Sequence, residues 1–110
     1  MSKVVHYEGE NVVDSLLASA VLEKGVTVVD FFATWCGPCR ALEPVLDELS
    51  MEVEYRIVKV DVDKYPDLAA FYGVRSIPTL VIFKDGKPVD TLIGGRSKEQ
   101  LNEDVEKATK

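Results

Sequence analysis

Val26-Thr27-Val28-Val29-Asp30-Phe31-Phe32-Ala33-Thr34-Trp35-Cys36-Gly37-Pro38-Cys39, or VTVVDFFATWCGPC, carries an apolar run straight into the only two cysteines of the chain. From Val26 to Ala33 the run is β-branched and aromatic at both parities. That is the composition of a strand buried on both faces, and it predicts a central place in a sheet. Beyond the cysteines, Leu42, Val45, Leu46 and Leu49 recur at helical spacing, with Asp47, Glu48 and Glu52 on the wet side. The cysteines therefore precede or open a helix. Pro44 falls inside that pattern, where it removes the amide that would bond the Arg40 carbonyl and predicts a kink.

Working outward, Val4 to Tyr7 alternates as a short strand, and Asn11 is placed to cap a helix carrying Val12, Val13, Leu16, Leu17, Ala20 and Val21, with Gly25 as its stop. Downstream, YRIVKVDVD (Tyr55 to Asp63) alternates as a strand, and a short helix follows from Pro66 to Tyr72, ended by Gly73. The link from Leu49 to Tyr55 is short. TLVIF (Thr79 to Phe83) and VDTLI (Val89 to Ile93) flank Lys84-Asp85-Gly86-Lys87, and an Asp-Gly pair between apolar strands predicts a hairpin. Ser97 with Gln100 reads as a capping box for a last helix bearing Leu101, Val105 and Ala108. The sum is an α/β fold: a central mixed five-stranded β-sheet flanked by four α-helices, in a single domain over residues 1–110 without linker or repeat. The cysteines fall at the carboxyl end of the central strand, where such sheets build their sites.

Bulk composition narrows the function classes. At 110 residues the chain is long enough to bury a core without disulfide or metal staples. Apolar and charged fractions of 46% and 29% are those of a soluble globular protein. A net charge of -6 opposes nucleic acid and anionic membranes, leaving proteins and small molecules as partners. Met1-Ser2-Lys3 leads into charged and polar residues without an apolar h-region, and no stretch approaches a membrane span, so a cytosolic location is expected.

Four readings of the cysteine pair compete. A structural crosslink would close a loop of Gly37 and Pro38 alone and constrain almost nothing. Zinc needs about four ligands, and the chain offers one cysteine pair and the distant His6, so no metal site is expected. Two unrelated buried thiols would not explain an i, i+3 spacing beside a helix start. The redox reading has a physical basis: a thiolate at a helix N-terminus meets unsatisfied amides and the positive end of the dipole. Cys36, nearer the tip and expected to be exposed, is then the attacking thiolate, and Cys39, one turn deeper, the resolving thiol. Gly37 lets the backbone approach closely, and Pro38 presets φ for the first turn.

Three stretches, VVDFFATWCGPC, KVDVDKYPDLAAFYGVRSIPTLVIFKDGK and GGRSKEQL, resemble the thioredoxin family over essentially all 110 residues. That resemblance implies a thiol-disulfide oxidoreductase that reduces protein disulfides through Cys36 and Cys39 and is recycled by a thioredoxin reductase. It implies disulfide-containing target proteins as partners, a monomer, and no bound cofactor, since the dithiol itself carries the electrons. Asp30 interrupts an otherwise apolar strand, which predicts a desolvated carboxyl with a raised pKa. It matches the family's buried aspartate, which assists deprotonation of the resolving thiol; the bland alternative is a strand-end Asp facing water. Lys59 matches the lysine that accompanies that aspartate, and alone it reads as a snorkelling surface lysine. Ile77-Pro78 in SIPT matches the family's cis-proline loop, which lends backbone groups to an extended substrate peptide. Trp35 reads as an aromatic wall beside the nucleophile, or else a half-buried core indole. Ile93 and Gly94 complete the docking surface.

Phe32, Thr34, Arg40 and Gly95 depart from the commonest family pattern and bear on packing, redox poise or partner choice. Two rival functions remain: a disulfide oxidase or isomerase of an oxidising compartment, and a binding module in which the cysteines are dispensable.

Overall fold

The central β-branched run does lie at the middle of the sheet. The computed structural model describes residues 2–7 and 25–110. Five strands, β1 (Val5–His6), β2 (Val26–Phe32), β3 (Arg56–Asp61), β4 (Thr79–Lys84) and β5 (Lys87–Ile93), form one sheet in the order β1-β3-β2-β4-β5. The first three run parallel, while β4 is antiparallel to β2 and β5 to β4. The sheet is thus mixed, as its sequence pattern requires. Three helices are described, α1 (Gly37–Ser50), α2 (Pro66–Phe71) and α3 (Lys98–Ala108). The other of the four expected helices, from Asn11 through Val21, lies outside the described residues.

Strand alternation sorts the core into two layers. Val29, Phe31, Val58, Val60, Val81 and Phe83 pack with Leu68 and Ala69 of α2 on one face. Val28, Ile57, Leu80 and Ile82 pack with Leu42, Leu46 and Leu49 of α1 and with Leu101 and Val105 of α3 on the other. Asp30 shares parity with Val28, and Lys59 with Ile57, so both belong to the layer beneath α1. Their register is direct: Asp30 lies opposite Lys59 on β3 and opposite Leu80 on β4.

Local chemistry explains most element ends. Asp85 (φ 51) and Gly86 (φ 83) make the tight turn between β4 and β5 that the Asp-Gly pair predicts. The Asp85 carboxylate accepts from the Gly25 amide at 2.8 Å, holding the start of β2 against the hairpin. β5 begins at Lys87 rather than at the expected Val89, because Pro88 is tolerated on an edge strand beside the register shift at Ile82/Phe83. Pro44 does not break α1, which runs unbroken from Gly37 to Ser50.

The capping box of α3 is only half formed. Ser97 Oγ accepts from the Gln100 amide at 3.1 Å, but Gln100 Nε2 donates to Asp104 instead of serving the cap. With one partner doing all the capping, Ser97→Ala is expected to cost about 1 kcal/mol of stability, read as a lower urea midpoint at unchanged slope.

Candidate active site

The chain leaves β2 through Ala33 and Thr34 and enters α1 with Cys36 as the N-cap residue, in extended conformation (φ -86, ψ 115). Pro38 occupies the first turn, where no amide is needed. Cys36 and Cys39 are joined by a disulfide with their Cα atoms 5.2 Å apart. The Cys39 amide donates to Cys36 Sγ at 3.2 Å. That sulfur belongs to the disulfide here; in the dithiol form the same amide and the positive end of α1 face the thiolate. No acidic residue stands in the first turn of α1 to oppose that charge.

Cys36 is less open than expected, at 5% exposed against 1% for Cys39. Position separates them better than exposure does. Cys36 caps the helix with its Sγ 4.0 Å from the Ile77 carbonyl oxygen, whereas Cys39 sits one turn inside it. Ala33 packs against both cysteines, with Phe32, Val62 and Ile77 at the margin.

Loops distant in sequence assemble around this pair. The Ile77-Pro78 peptide is cis and precedes β4. The Pro78 carbonyl accepts from the Gly94 amide at 2.9 Å, and Thr79 lies opposite Ile93, so the end of β5 is fixed beside the proline loop. Gly94 adopts φ +92, a conformation that L side chains rarely take. A groove of about 210 Å³ between Pro38, Ala41 and Leu42 on one side and Gly95 and Arg96 on the other brings the following loop against α1. Trp35 and Ile93 are 67% and 65% exposed, far above what large apolar residues usually show. Trp35 is nevertheless fixed, its Nε1 donating to Asp63 at 2.8 Å. The half-buried core reading of Trp35 is therefore excluded.

In the layer beneath α1, Asp30, Lys59 and Glu43 form a charge cluster whose first two members are buried. Asp30 is fully buried, and neither carboxylate oxygen has a hydrogen-bond partner among the described residues. Burial pushes its pKa up, Lys59 pulls it down and Glu43 pushes it up again, leaving it at about 7. The water-facing alternative for Asp30 thus fails. Lys59 is not a surface lysine either: it is 4% exposed, lies 4.1 Å over the Phe32 ring, and donates to Glu43 at 3.0 Å. Phe32 therefore contributes an aromatic face to this cation.

Sequence reasoning assigned no role to Glu43 or Asp63. Glu43 stands four residues after Cys39 on α1, a spacing that places the two on one helix face. Asp63 carried no signal, because its contact with Trp35 depends on how two loops fold together. Among the described residues no cluster of three His, Cys, Asp or Glu side chains is arranged to hold a metal ion.

A redox-active cysteine pair at a helix N-terminus, at the carboxyl end of the central strand of this sheet, defines a thiol-disulfide oxidoreductase. The chain belongs to the thioredoxin family, whose model matches residues 4–107. It is 53% identical over 88 residues to a thioredoxin of Staphylococcus aureus, covering 78% of this chain and 85% of that one. Among solved structures, a thioredoxin from Nicotiana alata superposes with a TM-score of 0.87 at 34% identity, covering 99% of this chain and 95% of the other. The thioredoxin of Fasciola hepatica gives 0.73 at 42% identity over 79% and 84% of the two chains.

Proposed function

We propose that the protein is a cytoplasmic protein-disulfide reductase acting as one domain and as a monomer. The observation that carries this reading is a disulfide at the N-cap of α1 that encloses only Gly37 and Pro38, a crosslink with almost no structural value. Cys36 thiolate attacks a substrate disulfide; a Cys36-substrate bond forms as the substrate bond breaks, and one substrate thiolate leaves. Cys39, its proton taken by Asp30, then attacks Cys36 Sγ and expels the second thiolate. Two electrons have passed from the dithiol to the substrate, and the protein is left with the Cys36-Cys39 disulfide.

The exposed Trp35 and Ile93, with Ile77, Pro78 and Gly94, form the docking surface for the target segment, which takes an extended path along the proline loop. Lys59 moderates Asp30. A thioredoxin reductase returns the electrons, no bound cofactor being required on this chain. A reductant of this kind works where thiols are kept reduced, which makes the cytoplasm the compartment of this reading. Among the described residues no helix is long and apolar enough to cross a membrane.

The test is the dithiol-disulfide equilibrium across defined glutathione ratios, read by thiol alkylation and mass spectrometry. The expected result is a potential more reducing than the glutathione pool. A potential on the oxidising side would favour the oxidase or isomerase instead, and failure to form the bond would favour the binding module.

A further inference from the structure

The cluster holds a buried carboxylate and a buried ammonium, Asp30 and Lys59, and a half-exposed carboxylate, Glu43. Asp30 and Lys59 lie opposite each other on neighbouring strands, so the simplest outcome would be a direct ion pair between them. That pair is not made. Lys59 Nζ donates to Glu43 Oε2 at 3.0 Å, and both Asp30 oxygens go unpartnered. Glu43 is 48% exposed at its side chain while Lys59 is 3% exposed, so the carboxylate reaches the ammonium from the solvent side.

A second observation places Glu43 at the chemistry. A cavity of about 210 Å³ is lined by Phe32, Ala33, Thr34, Cys39, Arg40 and Glu43. Its walls thus join the resolving cysteine to the outer carboxylate. A neighbouring cavity is lined by Glu43 and Lys59 together with His6, Asp61 and Lys64. The charged and titratable groups lining these two cavities are Cys39, Arg40 and Glu43 from α1, His6 from β1 with Tyr7 just after it, Lys59 and Asp61 from β3, and Lys64 beyond it. On the β4 side Asp30 meets Leu80, which brings no charge.

We propose that Glu43 is a positioning residue: by holding the Lys59 ammonium in the cavity next to the one that Cys39 lines, it decides how strongly that ammonium acts on the buried Asp30 carboxyl. The inference rests on the reading of Asp30 as the group that takes the Cys39 proton. In that step the Cys39 S–H proton moves to an Asp30 oxygen, the sulfur electron pair forms the bond to Cys36 Sγ, and the substrate thiolate leaves with the pair of the broken bond. Asp30 later returns the proton to water. Glu43 favours protonated Asp30 in two ways of the same sign, through its own negative charge and by engaging the ammonium that would otherwise favour the carboxylate.

The test is the titration of the Asp30 carboxyl by carbon NMR in the oxidised protein, where neither thiol titrates. In Glu43→Gln the midpoint is expected to fall by about one pH unit, in Glu43→Asp to return part of the way, and in Glu99→Gln, an equal charge change on exposed α3, to stay in place. Lys59→Met moves it the other way. An unmoved midpoint in Glu43→Gln overturns the proposal, provided the amide spectrum shows the fold intact; a midpoint in Lys59→Met that fails to rise overturns it as well. The rate of product release from a mixed disulfide, followed against pH, distinguishes the two layers. If the Glu43→Gln midpoint falls and the pH limb of release falls with it, both stand. If the midpoint falls while the limb stays, the Glu43 coupling is supported and the role of Asp30 fails.

Discussion

Cys39→Ser is expected to stop turnover and to accumulate a covalent adduct with substrate, joined through Cys36. Cys36 caps α1 and receives the Cys39 amide, so its sulfur keeps the environment that supports attack when the partner sulfur is removed. A serine hydroxyl remains protonated at neutral pH and cannot displace a thiolate, so the mixed disulfide has no internal exit. Steady-state reduction of a protein disulfide should fall on the order of 10^3-fold, the remainder being resolved by added thiol. Mass spectrometry of alkylated protein after mixing with a disulfide substrate reads the result: one adduct per chain, released by reductant, with none in Cys36→Ser. Adduct formation by Cys36→Ser in place of Cys39→Ser would reverse the two roles. The experiment matters because exposures of 5% and 1% separate the sulfurs only narrowly.

The fold was legible in the sequence wherever a local rule decided an element. Two-sided apolarity put β2 at the sheet centre, the Asp85-Gly86 pair gave the hairpin, and the i, i+3 cysteines beside a helical pattern located the site. Boundaries slipped where tertiary pairing outweighed composition, as at Pro88, which an edge strand accepts. The half-formed capping box has the same origin, since Asp104 one turn on offered Gln100 another partner. Within the site, the polar residue inside an apolar strand, Asp30, announced its own burial. Lys59 did not, because a lysine in an alternating strand is as well explained by a solvated edge. Only the packing of α1 across β3 buries it and brings Glu43 to its ammonium. Residues read from one element were recoverable, and the contact between Lys59, Glu43 and Phe32, which joins three elements, was not.

Asp30→Ala is expected to stabilise the protein while slowing it, and the two effects share one cause. Asp30 has a pKa of about 7 in the folded chain against 3.8 in its ordinary state. The native form therefore holds a proton that the unfolded form has released between these values, so stability falls as pH rises through that window. The full penalty is present above the folded value and absent below the unfolded one. Its ceiling, from the size of the shift, is about 4 kcal/mol, from which a small cavity in the alanine variant removes about 1 kcal/mol. A net gain of about 2 to 3 kcal/mol at pH 8, shrinking toward zero or below at pH 4, should appear in urea unfolding of the oxidised protein. On the proposed reading, in which Asp30 takes the Cys39 proton, its loss should meanwhile slow release of product from the mixed disulfide by about 10^2-fold near neutral pH, with little change in substrate binding. A stability difference that is the same at both pH values would mean that Asp30 folds as a carboxylate, and an unchanged release rate would remove it from the reaction. If both effects are found, the chain retains at its centre a carboxyl that destabilises the fold under the conditions in which it speeds the release of product.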